Sequence, residues 1–392
     1  MGTILALQPW DSGSHAAVRA SIERHALMEW RFETMAGRSP RWRLRHAGLA
    51  FAERLSEAPI REVDAVFATS MMSLSDFRAA SPAFLRNRPH ILYMHENQVA
   101  YPASPSASDS DRTRDAHLAF TNLASIEAAD RVVWNSGWNR ESFVDGVQDL
   151  LSHAPERVGL GWIDRLREKS VIVPPPVERS TGRGEGVLHN RGRGGYAEPA
   201  DVLVAWPHRW EYDKGCEELL AIADRAFALE RQGGPRLRWC LLGRQGSHRP
   251  EPMATFCERH ADRIRHAGWI ANHETYRATL RQCDWILSTS RHEFFGIAVA
   301  EALLEGCLPW LPRRLSYPEL IPEEAFDLDP WTTPGARSRT DEQRDRIARV
   351  QAGVRAKLSS AVAEHAVERL EGEVRRAIEA SRLGVSGDSG AR

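Results

Sequence analysis

Two carboxylates, Glu293 and Glu301, lie eight residues apart in the stretch His292-Glu293-Phe294-Phe295-Gly296-Ile297-Ala298-Val299-Ala300-Glu301-Ala302. Gly296 falls between them, where the apolar pattern predicts the start of a helix. Just upstream, Cys283-Asp284-Trp285-Ile286-Leu287-Ser288-Thr289-Ser290 reads as a short buried strand. Strand, polar turn and helix in that order aim free backbone N–H groups at an anion. Glu293 falls in the turn, and Glu301 about two helical turns later, on the side of Gly296 or Ile297. One carboxylate beside a phosphate-binding helix start and a second further along suit a ligand with a hydroxyl-rich sugar, a diphosphate and a ribose. The plain alternative is a capped helix carrying two solvated glutamates.

Other polar groups cluster at predicted strand ends. Trp206-Pro207-His208-Arg209-Trp210-Glu211-Tyr212-Asp213-Lys214-Gly215 follows a strand, with Arg209 and Lys214 five residues apart in the turn before a helix. A guanidinium fork and an ammonium there can hold a diphosphate and stabilise it as a leaving group. The alternative is a surface pair satisfied by Glu211 and Asp213. In Tyr93-Met94-His95-Glu96-Asn97-Gln98, four consecutive side chains able to hydrogen-bond follow another strand, and His95 suits a sugar hydroxyl or proton transfer. A satisfied structural histidine is the competing reading. Ser12-Gly13-Ser14-His15 lies between the first strand and a helix, where small residues let a ligand approach the backbone and the helix start favours an anion. It is too short for a dinucleotide fingerprint.

Arg38-Ser39-Pro40-Arg41-Trp42-Arg43-Leu44-Arg45-His46 is the densest basic segment, and arginines around a tryptophan suit phosphate contacts and base stacking. A solvated helix face explains such a run equally simply. Arg183, Arg191 and Arg193 would extend a basic surface. The D-x-D pairs Asp109–Asp111 and Asp327–Asp329 follow no strand and read as chance rather than as a metal site.

The elements that must position these groups alternate β and α. Strands are predicted at Ile4–Gln8, Ala65–Thr69, Ile91–His95, Arg131–Trp134 and Ile172–Val173, with helices between them at Leu118–Ala129 and Trp138–Asp149. Pro174-Pro175-Pro176 stops the pattern, and a Gly/Arg-rich stretch follows. The alternation then restarts with strands at Val202–Trp206, Leu237–Leu242, Ile264–His266 and Trp285–Ser288. Helices are expected at Cys216–Leu229, Met253–His260, Tyr276–Gln282 and from Gly296 to Leu304, where Gly306 supplies the stop. A long helical segment over Thr340–Arg382 closes the chain. This alternation predicts two doubly wound Rossmann-like α/β domains facing a cleft, with ligands at the carboxyl ends of the strands. The expected boundaries are 1–176, a linker over 177–200, 201–383 including the closing helix, and a disordered tail over 384–392.

The chain's 392 residues, 42% hydrophobic and 27% charged, accommodate two such cores. A net charge of −1 gives no global pull toward nucleic acid or membrane, so RNA binding would need a local patch. No apolar run is long enough to span a bilayer, and the N-terminus reads as a strand rather than a signal peptide. Five cysteines without C-x-x-C spacing argue against a disulfide framework and a zinc site, so a cytoplasmic setting is expected.

Taken together, these segments resemble the family 4 glycosyltransferases of GT-B fold over most of the chain. The Glu293-x7-Glu301 pair resembles the family's donor-sugar signature, and Arg209 and Lys214 match its diphosphate-binding pair. The resemblance implies that Glu293 contacts hydroxyls of the transferred sugar and Glu301 the nucleotide ribose. Phe294, Phe295 and Gly296 would line the donor site, with the N–H groups of Phe295 and Gly296 facing the sugar or pyrophosphate. A closer similarity is to the tRNA-queuosine mannosyltransferase subgroup. It rests on Gly13-Ser14-His15, Trp42-Arg43-x-Arg45, Phe67-Ala68-Thr69-Ser70-Met71, His95-Glu96-Asn97-Gln98 and Asn135-Ser136. Further matches are Trp206-Pro207-His208-Arg209-Trp210-Glu211, His292-Glu293-Phe294-Phe295-Gly296 and Tyr317-Pro318-Glu319. That subgroup implies GDP-mannose as donor, queuosine of a tRNA anticodon as acceptor, retention at the anomeric carbon, and no metal or other cofactor. His95 would line the sugar site from the first domain, as would Gly13, Ser14 and His15. Asp11-Ser12, where the subgroup has a small or glycine-rich start, and the Gly/Arg-rich linker depart from the pattern and bear on acceptor choice. A transferase of the same fold acting on a lipid, glycan or small molecule is the first alternative. A non-catalytic RNA-binding protein of that fold is the second.

Overall fold

The computed structural model describes residues 2–57, 62–100, 109–156, 159, 161–180, 182, 201–246, 249–333 and 340–388, with the backbone alone for 109–116 and 384–388. Two compact units divide it: Met1–Val177 with Ser360–Arg392, and Glu178–Ser359.

The first unit is built on six strands: β1 (Thr3–Asp11), β2 (Glu29–Ala36), β3 (Ala65–Thr69), β4 (His90–Met94), β5 (Arg131–Trp134) and β6 (Ser170–Ile172). All pairings are parallel, in the order β2-β1-β3-β4-β5-β6. The central strands are short apolar runs buried on both faces, as a sheet covered by helices requires: every residue of β3 and β4 is buried. Side-chain caps fix where several helices start. Ser73 Oγ accepts from Asp76 N, and Ser136 Oγ accepts from Asn139 N.

The second unit carries β7 (Asp201–Trp206), β8 (Arg236–Leu241), β9 (Ile264–Ala267), β10 (Trp285–Leu287) and β11 (Leu308–Trp310), again all parallel, in the order β11-β10-β7-β8-β9. From β7 the chain winds outward through β8 to β9, then returns to place β10 on the other side of β7. The order therefore reverses between β7 and β10. At such a switch the two strand-end loops diverge and leave a crevice. In the first sheet the same reversal falls between β1 and β3.

Two strands escaped the sequence reading. β2 alternates Trp30 and Phe32 with charged residues, the period of a half-exposed edge strand, and it carries no continuous apolar run. β11 contains Pro309, which a strand tolerates at a sheet edge where its missing N–H has no partner to serve.

The closing helical segment corrects the expected domain plan. Thr340 caps a helix over Asp341–Leu358 through a reciprocal box with Gln343. The helix ends at a 3-10 turn, Ser359–Ala361, where Val177 N donates to Ala361 O at 2.7 Å and Ala363 N to Val177 O at 3.0 Å. The next helix, Ala363–Asp388, belongs to the first unit instead of the second. Val367, Leu370 and Val374 are buried there, and buried Glu371 accepts from Leu27 N, Met28 N and Trp30 Nε1 at 3.0, 2.7 and 3.2 Å. Glu373 pairs with Arg131 at 2.6 Å. The helix also reaches Asp388, into the 384–392 segment expected as a tail. The linker residues 183–200, with Arg183, Arg191 and Arg193, lie outside the described residues, as do the side chains of Asp109 and Asp111.

Candidate active site

In the second unit the predicted donor residues converge at the β7/β10 switch. The loop after β7 passes through a 3-10 turn, Tyr212–Lys214, into the helix Cys216–Glu230. The loop after β10 carries Ser288 to Gly296. Gly243, in the loop after β8, seats the β7 loop from one side, since a Cβ there would lie 1.5 Å from the His208 carbonyl oxygen; Gly215 brings the β7 and β10 loops together, a Cβ on it falling 2.1 Å from the Thr289 carbonyl oxygen. Buried hydroxyls lock them together, with Trp206 Nε1 donating to Thr289 Oγ1 at 3.0 Å and Thr289 Oγ1 to the Lys214 carbonyl at 2.7 Å.

Lys214 is the hub. Its Nζ donates to the His292 carbonyl at 2.9 Å and lies 3.1 Å from Asp213 Oδ2 and 3.4 Å from Glu293 Oε2. Burial opposes its charge, but the carboxylates of Glu293 and Asp213 outweigh that and hold its pKa at about 12. A buried ammonium is therefore kept charged by two carboxylates, and Glu293 is the more exposed and more distant of the two. Arg209 lies further out on the same loop, its guanidinium half-exposed and 3.1 Å from Glu211. The pairings with Glu211 and Asp213 expected of a surface ion pair thus both form. Lys214 adds to them the bridge to the β10 loop.

Two imidazoles flank the ammonium. Burial, reinforced by Lys214, pushes His208 well below its usual pKa and His292 down to about 4, so both are neutral. His208 Nε2 is buried with no hydrogen-bond partner among the described residues.

The helix Ile297–Leu304 starts at Gly296, whose φ of +90° and ψ of 57° form a left-handed cap. Its first N–H groups have no intrahelical acceptor, and they emerge beside buried Phe294 and Phe295. The Phe295 carbonyl is held from behind by Ser316 Oγ at 2.9 Å, and Tyr317 OH meets Ser288 Oγ at 2.6 Å. Glu301, one turn on, is not solvated. His273 Nε2 lies 2.8 Å from Glu301 Oε1 and Arg277 Nη1 lies 3.6 Å away. The hydrogen bond to Glu301 raises the His273 pKa against the opposing effect of burial.

In the first unit the other predicted residues gather at the same, carboxyl edge of their sheet. Gly13, at φ +54°, opens the helix Gly13–His25 just after β1, with open space where a side chain would stand. His15 on that helix and His95 just after β4 face each other with ring centroids 4.1 Å apart, and Tyr93 meets His95 edge-on at 4.6 Å. Burial lowers the pKa of His15 to about 4 and carries that of His95 well below its usual value, with His15 adding to the latter. Two neutral rings of this kind offer directional donors and acceptors, not charge. Asparagines fix the loop beneath them. Asn135 Nδ2 donates to the His95 carbonyl at 2.7 Å, while Asn97 Nδ2 reaches Asn139 Oδ1 at 2.9 Å and Ser142 Oγ at 3.2 Å. Asn97 is thus structural.

The basic segment divides. Arg43 is turned inward, its Nη2 donating to the Ala36 carbonyl at 3.2 Å, and Arg45 donates to Thr121 Oγ1 at 3.3 Å. Arg38, Arg41, Trp42 and Arg45 are exposed. Of the D-x-D residues, Asp329 accepts from Trp331 N and Thr332 N at 2.8 Å each, so it caps a turn. Among the described residues no group of three or more His, Cys, Asp or Glu is placed to hold a metal ion, and no helix is long and apolar enough to cross a membrane.

A family model described as tRNA-queuosine alpha-mannosyltransferase N-terminal matches residues 3–177. A protein of Drosophila melanogaster named tRNA-queuosine alpha-mannosyltransferase is 32% identical over 327 residues, covering 82% of this chain and 82% of that protein. The chain belongs to the tRNA-queuosine alpha-mannosyltransferase family. A more partial relative, the GDP-mannose:cellobiosyl-diphosphopolyprenol alpha-mannosyltransferase of Xanthomonas oryzae pv. oryzae (strain PXO99A), is 29% identical over 141 residues, 36% of each chain. Among solved structures, the trehalose-6-phosphate synthase OtsA matches with a TM-score of 0.64 at 12% identity, covering 96% of this chain and 99% of that one. The fold is GT-B, and the chain is a glycosyltransferase.

For this member of the tRNA-queuosine alpha-mannosyltransferase family, sequence reasoning missed the groups that hold the site in shape. Arg277 and His273, one helical turn apart on His273–Arg281, grip Glu301 from a helix whose sequence carries no motif. Asp213, which the sequence offers only as a partner in the alternative surface pair, is buried against Lys214. Its position directly before the lysine was the available signal.

Proposed function

We propose that this chain transfers mannose from GDP-mannose to queuosine in a tRNA anticodon, with retention of the anomeric configuration. The observation that carries the donor side is Lys214 Nζ, 2.9 Å from the His292 carbonyl and 3.4 Å from Glu293, joining the β7 and β10 loops beside the helix start at Gly296. A sugar diphosphate seated there would draw Lys214 and Arg209 onto its phosphate oxygens and displace Glu293, the looser partner. Glu293 would then turn to the sugar hydroxyls. The N–H groups around Gly296 would face the diphosphate, and Glu301, held by His273 and Arg277, would meet the ribose. In the reaction the acceptor hydroxyl oxygen bonds to the anomeric carbon as the bond to the phosphate oxygen breaks. The departing phosphate takes the hydroxyl proton, so no protein base is required. Lys214, Arg209 and the helix start would meet the charge that develops on the leaving group. Neutral His15 and His95 would offer hydrogen bonds to sugar hydroxyls. No step calls on a metal ion. The names of the two relatives support this reading: one specifies tRNA-queuosine and mannosyl transfer, the other GDP-mannose.

The donor side is tested by offering GDP-mannose, GDP-fucose and UDP-glucose to the protein with and without EDTA, and reading the linkage of any product by NMR. The expected result is transfer from GDP-mannose alone, insensitive to EDTA, giving an α-linked mannoside. A β-linked product, or preference for a uridine sugar, would overturn the assignment.

A further inference from the structure

In the first unit, Trp42 stands in water while the opposite face of its helix is packed. The helix Pro40–Glu57 buries Leu44, Ala47, Phe51 and Leu55, and Trp42 falls on the opposite face with 70% of its surface exposed. Burying that ring would remove a large apolar area from water, so it offers an occupant a broad aromatic face. Arg38, Ser39, Arg43 and His46 surround it and form with it a groove of about 410 Å³. The backbone that carries the ring is held in place. His46 Nδ1 lies 2.6 Å from the Trp42 carbonyl and its imidazole meets the indole edge-on at 6.1 Å. Arg43 is anchored to the Ala36 carbonyl and Met35 Sδ at 3.2 and 3.3 Å.

Charge narrows the occupant. From Thr34 to Ala52 the chain carries four arginines and no carboxylate, against a net charge of −1 for the whole protein. An exposed indole face flanked by the guanidinium groups of Arg38 and Arg43 is complementary to an unpaired base and its phosphates. Position narrows it further. The groove follows β2, neighbour of β1, so it lies on the same carboxyl edge as Gly13, His15 and His95. Gly37 packs so closely on the β1 loop that a Cβ there would lie 2.4 Å from Ser12 Cβ.

We infer that Trp42 is a stacking platform for an unpaired base of the RNA acceptor, beside the modified nucleotide, with Arg38 and Arg41 on its phosphates. This rests on the acceptor reading above and adds to it a residue that holds a second nucleotide. The contact is sequence-tolerant, because every base has a π-face.

The test places 2-aminopurine in turn at each unpaired position of an anticodon stem-loop RNA and measures fluorescence and affinity with the wild-type protein, Trp42→Ala and Trp42→Phe. One position should be quenched by the wild type. Trp42→Ala should lose that quench and about 10-fold in affinity, while Trp42→Phe stays within about 3-fold. Trp42→Ala should leave the salt slope unchanged, whereas Arg38→Ala and Arg41→Ala each reduce it by about one. GDP-mannose binding should be unaltered in all variants, showing that they fold. Equal affinity and an unchanged quench pattern in Trp42→Ala would overturn the inference and leave the acceptor reading standing. Failure of the wild type to bind the RNA would overturn both. A wild-type dimer that Trp42→Ala converts to monomer would overturn the inference in favour of a second copy as the occupant.

Discussion

Glu293 and Lys214 are bound to one another before any ligand arrives, which separates their mutational signatures. Glu293→Gln keeps the shape and removes the charge, so transfer should fall by about 10²–10³ while the fold and GDP affinity persist. Undiminished turnover in single-turnover assays would remove Glu293 from the mechanism. Lys214→Met leaves Asp213 and Glu293 without their cation, and in a buried cluster that costs ~3–5 kcal/mol of stability in addition to transfer. Arg209, half-exposed and paired with Glu211 at the surface, should behave differently. Arg209→Ala should shift stability by less than ~0.5 kcal/mol yet weaken GDP binding by ~1.5–3 kcal/mol. Urea denaturation and calorimetry on the two variants check the contrast. At this scale the sequence was informative where a residue type is unusual for its place, as with Arg209 and Lys214 after a strand. It was silent where the partner is remote in sequence. Nothing near Glu301 announces that His273 and Arg277 hold it, because that contact exists only once the helices pack.

Among the elements, the crevice depends on loops passing at distances that only glycine allows. Gly243→Ala would drive a Cβ against the His208 carbonyl and push the β7 loop outward, at a cost of about 1–3 kcal/mol, with loss of donor affinity. Gly296→Ala faces no comparable clash, its nearest atom being Glu293 Cγ at 3.4 Å, and pays instead ~1–2 kcal/mol for its left-handed backbone. Melting curves of the two variants, set beside GDP titrations, test this ordering. The apolar runs of β1, β3, β4, β7 and β8 made the strands legible, since a parallel sheet buried on both faces leaves little room for polar residues. β2 was not, because an edge strand carries Glu29, Arg31 and Glu33 toward water. The break between the last two helices was hidden for a different reason. Ser359–Ala361 contains no glycine or proline, and the turn is fixed by a backbone bridge to Val177, far away in sequence.

For the molecule as a whole, buried neutral histidines set the acid limit. His15, His90 and His292 have folded-state pKa values near 4 against 6.5 when unfolded, with burial as the leading cause in each. A depressed histidine pKa means that the unfolded chain binds protons first. Stability is therefore full above pH 6.5 and falls as pH drops from 6.5 toward 4, by ~1.4 kcal/mol per pH unit for each histidine. Urea midpoints between pH 7 and 5 should show this decline, and His90→Phe should make it shallower by about one proton; a flat profile would contradict it. The two-unit plan was legible from the restart of β/α alternation after Pro174-Pro175-Pro176. The return of Ala363–Asp388 to the first unit was not, because it is dictated by the fit of Val367, Leu370 and Glu371 to surfaces built at the other end of the chain. One assay is decisive: transfer of labelled mannose from GDP-mannose to purified tRNA, with queuosine-containing and queuosine-free tRNA side by side. The predicted result is label on the queuosine-containing tRNA alone, lost in Glu293→Gln. Label on both tRNAs, or on neither while GDP-mannose is still bound, would contradict it.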